Sequence, residues 1–166
     1  MARDRRFVAA HRGGPLDGTQ HRLLATWAAD CADRVLHLFA ASVPGDERPQ
    51  HAVGAARAWS RGEITVGEAR AASVAAHAAA RAAPTDAAIA AARAAGHAVA
   101  TAHMADHSLG AMVYAVRAVK HASPPEDAET AGQREHQWQL AHLPEPVREL
   151  VEAALDEQTV LGAWRA

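Results

Sequence analysis

The chain has a single cysteine, a single tyrosine and two phenylalanines, and sixteen of its seventeen basic residues are arginine. With Cys31 alone, no disulfide framework and no cysteine-based metal site can form within the chain. No glycine-rich phosphate loop appears, and no segment alternates apolar and polar residues as a half-buried strand would. No run of 18 apolar residues is free of charge, so no segment reads as a membrane span. The basic opening MARDRRFVAAHRGG lacks an apolar stretch and does not read as a signal peptide, so a cytoplasmic location is expected. Net charge is −2 and no basic run alternates with aromatics, which argues against a nucleic-acid partner.

What the chain has instead is alanine, 21 of the 37 residues from Ala69 to Ala105. Alanine loses no side-chain entropy on entering a helix and lets backbones approach closely. The stretch predicts two tightly packed helices inside an all-α domain. With 166 residues, one domain is expected. Large apolar residues are scarce, so Trp27, Phe39, Trp59, Trp138 and Trp164 are the expected anchors of a thin core.

Gly13, Gly14, Pro15 and Gly18 make residues 1–18 read as a flexible segment, followed by one helical domain over 19–166. Six or seven mostly antiparallel helices are expected, with no sheet. The first runs from Thr19 to Ser42, with the stripe Leu24, Trp27, Ala28, Cys31, Val35, Leu38 and Phe39. Asp46 caps the second, and Thr65 with Glu68 forms a capping box for the third, which Pro84 ends. Thr85 or Asp86 caps the fourth and Asp106 the fifth. A sixth ends near His142, and Pro144 and Pro146 open the seventh.

Histidine is abundant, with eleven copies. His103 and His107 stand four apart, and His97 lies near them. Three imidazoles of this kind are an alternative metal site, although Met104 and Ala105 stand where a general-base glutamate would. The bland reading is a buried, hydrogen-bonded His103 beside an exposed His107. Arg70, Val74, His77 and Arg81 share one face, and Arg93, His97 and Thr101 another. Packed as a hairpin they could line an anion pocket, or simply form a solvated basic stripe. His37 with Asp30 and Asp33 reads as ordinary helix-surface pairing. Cys31 lies on an apolar stripe and reads as an inert small hydrophobe. No catalytic set is complete, and no cofactor is expected.

Charge is unevenly spread. Residues 1–125 carry +4, and residues 126–157 carry −7. Glu145, Glu149, Glu152 and Asp156 are spaced four, three and four apart, which puts them on one helical face opposite Val147, Leu150, Val151 and Ala154. Such a face suits a basic partner.

Several phrases carry a resemblance: HRLLATWAADCADRVLHLF (21–39), the DERP opening at Asp46, AARAWSRGEITVGEAR (55–70), AAHAAARAA (75–83) and ARAAGHAVATAHMADHSLGAMVYAVRAV (92–119). WAADCA, ARAWSRGEI and GHAVATAHMADH are the most specific, because helix propensity does not dictate their Trp, Cys, Gly and His positions. Together they resemble the immunity proteins of bacterial polymorphic toxin systems, in the Imm-five-like group. The resemblance implies a helical, non-catalytic cytoplasmic protein that binds and blocks a cognate toxin. The acidic carboxyl-terminal region lies outside these phrases and is the expected toxin contact. A histidine-based metal enzyme is the alternative, and a helical scaffold or ligand-binding protein the third reading. A homodimer through exposed alanine faces is possible.

Overall fold

The computed structural model describes residues 4–156, and these form eight α-helices and no sheet. In chain order they are α1 (Gly18–Asp33), α2 (Leu36–Ser42), α3 (Arg48–Ser60), α4 (Val66–Ala82), α5 (Asp86–Ala100), α6 (His107–Ala122), α7 (Ala128–Ala141) and α8 (Glu145–Asp156). Trp164 and Glu157 lie outside the described residues.

Eight helices stand where six or seven were expected, because the stretch Thr19–Ser42 is broken at Arg34 and Val35. There the Val35 and Leu38 amides donate to carbonyls only three residues back, Ala32 and Val35. The chain tightens for one turn and restarts. Neither glycine nor proline marks the break. At the break Val35 is buried and Arg34 reaches across to Glu135 on α7.

Elsewhere two of the expected local signals operate as written and two do not. Thr65 and Glu68 make the reciprocal capping box of α4, and Thr85 accepts from the Ala88 amide at the start of α5. Asp46 falls one residue outside the N-cap of α3, yet its carboxylate accepts from the Arg48 amide. Asp106 occupies the N-cap of α6 without a side-chain capping bond.

Helix α5 is the central element and packs against α1, α2, α3, α4 and α6. Eleven of its fifteen residues are buried, and eight of those are alanine. A helix surrounded by others has little room for larger side chains, so the alanine run follows from the packing as well as from propensity. A second cluster gathers the large residues: Phe7, Leu16, Leu24, Trp27, Leu109, Met112, Leu143, Val147 and Val151. Phe7 and Leu16 come from the breaker-rich opening, whose described part makes two short 3-10 turns and contributes these two fully buried side chains.

Two expected anchors are less than fully buried. Trp59 is only partly buried and leans on His21. Trp138 is also partly buried, with the Arg34 guanidinium 3.9 Å from one of its rings and His142 stacked at 4.0 Å. Below it Glu135, only 4% exposed, accepts from Arg34 Nε at 3.0 Å and from Gln139 Nε2 at 3.2 Å. Trp27 Nε1 donates to the Gln139 carbonyl at 2.9 Å. This polar seam fastens α7 to α1.

Candidate functional site: a histidine row and two charged faces

The notch that seats the histidines is made by Gly96. A Cβ at Gly96 would lie 2.7 Å from the His77 ring, so only glycine lets α4 bring that imidazole onto α5. Ser73 Oγ, one turn earlier on α4, donates to the Gly96 carbonyl at 3.0 Å and fixes the register.

From His77 the imidazoles run in a row. The His97 ring lies 5.1 Å away edge-on, the His107 ring is 5.1 Å from His97, and His103 is 5.2 Å from His107. His97 Nδ1 and His107 Nδ1 are 3.0 Å apart, which requires one ring to donate and the other to accept. Tyr114 stacks on His97 at 5.2 Å with the planes 10° apart.

Burial sets the charge of His97 and His77. It pushes the pKa of His97 down to about 2, aided by His107, His77 and Arg93. Burial also lowers His77, followed by the charges of Arg93 and Arg81. At neutral pH both rings are therefore uncharged.

The expected trio of His97, His103 and His107 thus meets as neighbouring rings. The contacts are ring against ring, and among the described residues no three His, Cys, Asp or Glu side chains are placed to hold a metal ion. Nearby hydroxyls donate to main-chain carbonyls: Ser73 to Gly96, Thr101 to His97, Ser108 to Ala105. Cys31 is fully buried, and burial, then Glu135, raises its thiol well above the usual range.

The proposed anion pocket is redistributed. His77, Arg93 and His97 come together, whereas Arg70 and Arg81 are exposed on α4 and Thr101 is buried. The cavity that does form lies between α5 and α6. Arg93, Tyr114, Arg117, His121 and Asp86 line it with Ile89 and Ala90, around about 220 Å³. Tyr114 and Arg117 belong to this site and drew no attention in the sequence. Their one signal was a lone tyrosine three residues before an arginine on a helix.

His37 is exposed, and Asp30 and Asp33 pair instead with Arg57 of α3, at 2.9 and 3.0 Å.

The second charged face is on α8. Glu145, Glu149, Glu152 and Asp156 are all exposed, and Val147, Val151 and Ala154 are buried on the opposite side. Arg148 bridges two of the acids, reaching Glu145 at 2.9 Å and Glu152 at 3.3 Å. The same guanidinium donates to the Leu140 and Leu143 carbonyls at the end of α7. Glu149 and Asp156 make no ion pair with a described residue, so the helix keeps a net acidic surface. Glu149 also borders a groove of about 390 Å³ floored by Pro15, Leu16, Pro146, Leu150 and Ala153.

No helix among the described residues is long and apolar enough to cross a membrane. No curated protein and no solved structure matches the chain. One family model does match, over residues 14–146, from the turn before α1 to the first turn of α8, and so takes in the histidine row, the α5–α6 cavity and the Arg34–Glu135 seam. The chain therefore belongs to the Imm-5 like putative immunity protein family.

Proposed function

We propose that this protein neutralises a cognate bacterial toxin by stoichiometric binding, and that the acidic face of α8 is the contact surface. The family match over residues 14–146 is the observation that carries the first part. The second part rests on geometry. Four carboxylates are exposed on a helix whose other side is buried in the core, so they are held in place before a partner arrives. A toxin that grips nucleic acid needs a basic cleft, and an acidic face of this kind accelerates encounter with such a cleft. Helix α8 lies almost wholly beyond the matched span, so its acidic face is argued from geometry and charge alone.

The toxin to test is any large secreted protein found to be encoded beside the gene for this chain. Purified toxin and protein should form a one-to-one complex that abolishes toxicity. Glu149→Lys with Glu152→Lys should slow association at least tenfold at low salt and leave the helical circular dichroism spectrum intact. An unchanged association rate would remove α8 as the contact. Failure of the neighbouring toxin to bind at all would remove the immunity reading.

A further inference from the structure

Arg93 is half-buried on α5, and none of its contacts is with a carboxylate. Its nearest polar neighbour is the Tyr114 hydroxyl at 3.5 Å, which is long for a hydrogen bond. Its guanidinium lies 5.7 Å from the Tyr114 ring centre, and that of Arg117 lies 5.0 Å from the same centre. Ring contacts offset only part of the cost of a half-buried cation. The charge of Arg93 is felt on the other side as well, where it helps hold His77 and His97 neutral. The fold therefore holds two guanidiniums on one ring beside a cavity, with His121 at the wall and Asp86 the single acid among the described residues there.

Two guanidiniums, an imidazole and a phenol hydroxyl present many donors, in forks that suit tetrahedral oxyanions. The 220 Å³ volume is below the usual range for whole small-molecule ligands, so the site suits a head group rather than a nucleoside. The start of α5 adds the positive end of a helix at the same wall, partly offset by Asp86. We propose that this cavity binds a single phosphate group, either inorganic phosphate or the head of a small phosphomonoester, bridged between Arg93 and Arg117.

Tyr114 is the chain's only tyrosine, so its ring proton resonances report on this cavity without ambiguity. The intact protein is titrated with sodium phosphate, with O-phosphoserine and with sodium acetate, at constant ionic strength set by chloride. Saturable shifts of the Tyr114 ring are expected with phosphate or phosphoserine, and weak or unsaturable ones with acetate. Tighter binding of phosphoserine assigns the site to an esterified phosphate, and equal or tighter binding of phosphate assigns it to the free ion. Arg93→Gln and Arg117→Gln should each weaken binding at least tenfold. Arg70→Gln, exposed on α4, should leave it unchanged. Absence of saturable shifts with both phosphate compounds overturns the proposal in the wild-type protein alone, whatever the stability of the variants. Equal affinity in folded Arg93→Gln overturns it too. Neither result bears on toxin binding by α8.

Discussion

The two halves of the hydrophobic core are built from different materials. In one cluster twenty of twenty-five buried members are alanine, contributed mainly by α4 and α5. In the other, two of twelve are alanine, and Phe7, Leu24, Trp27, Leu109 and Met112 supply the bulk. Helices α1 and α6 serve both, with Ala28, Ala29, Ala32, Ala111, Ala115 and Ala118 on one side and Leu24, Trp27, Cys31, Leu109 and Met112 on the other. A core of large side chains loses stability when a side chain is removed. A core of alanines has almost nothing to remove, and is vulnerable to addition. The histidine row and the α5–α6 cavity sit on the alanine side, where close backbones leave room for imidazoles to meet. The acidic helix is pinned to the other.

The largest effect should come from the bulky half. Trp27→Ala removes a 1% exposed indole and strands the Gln139 carbonyl, at a cost of about 3–5 kcal/mol in urea melts. Trp59→Ala, at a half-buried position, should cost only about half as much. Equal losses would mean that Trp59 is packed as tightly as Trp27.

Ala95→Leu tests the opposite vulnerability. Ala95 is fully buried in the central helix, and three added carbons there should cost about 1–3 kcal/mol despite leucine's good helix propensity. A neutral result would show slack in the alanine core.

Acid should act on the same half. His97 is held neutral, with a folded pKa of about 2, whereas the unfolded side chain titrates near 6.5. Below pH 6.5 the unfolded chain binds the extra proton. The stabilisation is thus complete above that pH and is lost as the pH falls toward 2. Between pH 6.5 and pH 5 the loss should be about 2 kcal/mol, with His77 and His136 shifted in the same direction. The slope should flatten in His97→Gln, and a wild-type stability constant from pH 7 to pH 5 would contradict the assignment.

The smallest effect should be a gain. Gly54 lies in α3, and a Cβ there meets nothing within 4 Å. Gly54→Ala should stabilise the protein by about 1 kcal/mol. At Gly96 the same change should destabilise, because the His77 ring must move. If Gly96→Ala also stabilises, the imidazole is not seated in that notch.

Much of the fold was readable from the residues because its determinants are local. The Thr65–Glu68 box, the Thr85 cap, Pro84 and the apolar stripes each act within a turn or two of their own position. The break at Arg34 and Val35 was not readable, since no glycine or proline marks it and Arg34 there pairs with Glu135, about a hundred residues away in the chain. Trp138 was misread for a related reason. Hydrophobicity put it inside, whereas a guanidinium and an imidazole provide it with a half-exposed berth. Phe7 and Leu16 were overlooked because glycine and proline around them signal turns, and turn signals say nothing about what the intervening side chains touch.

The candidate sites divide the same way. The carboxylates of α8 could be aligned from spacing alone, because a helix imposes its period on any four residues it contains. Spacing also hinted that His97, His103 and His107 are close. It could not show that His77 completes the row, that Tyr114 stacks on His97, or that Arg93 and Arg117 meet at one ring. Those contacts join α4, α5 and α6 and depend on how closely the helices approach. The helices, most of their caps and their polar and apolar faces could be read from the residues, since these follow from short-range sterics and hydrogen bonding. Which charges are paired, which imidazoles are neutral and where a cavity opens emerged once the helices were packed, because those depend on burial and on neighbours distant in the chain.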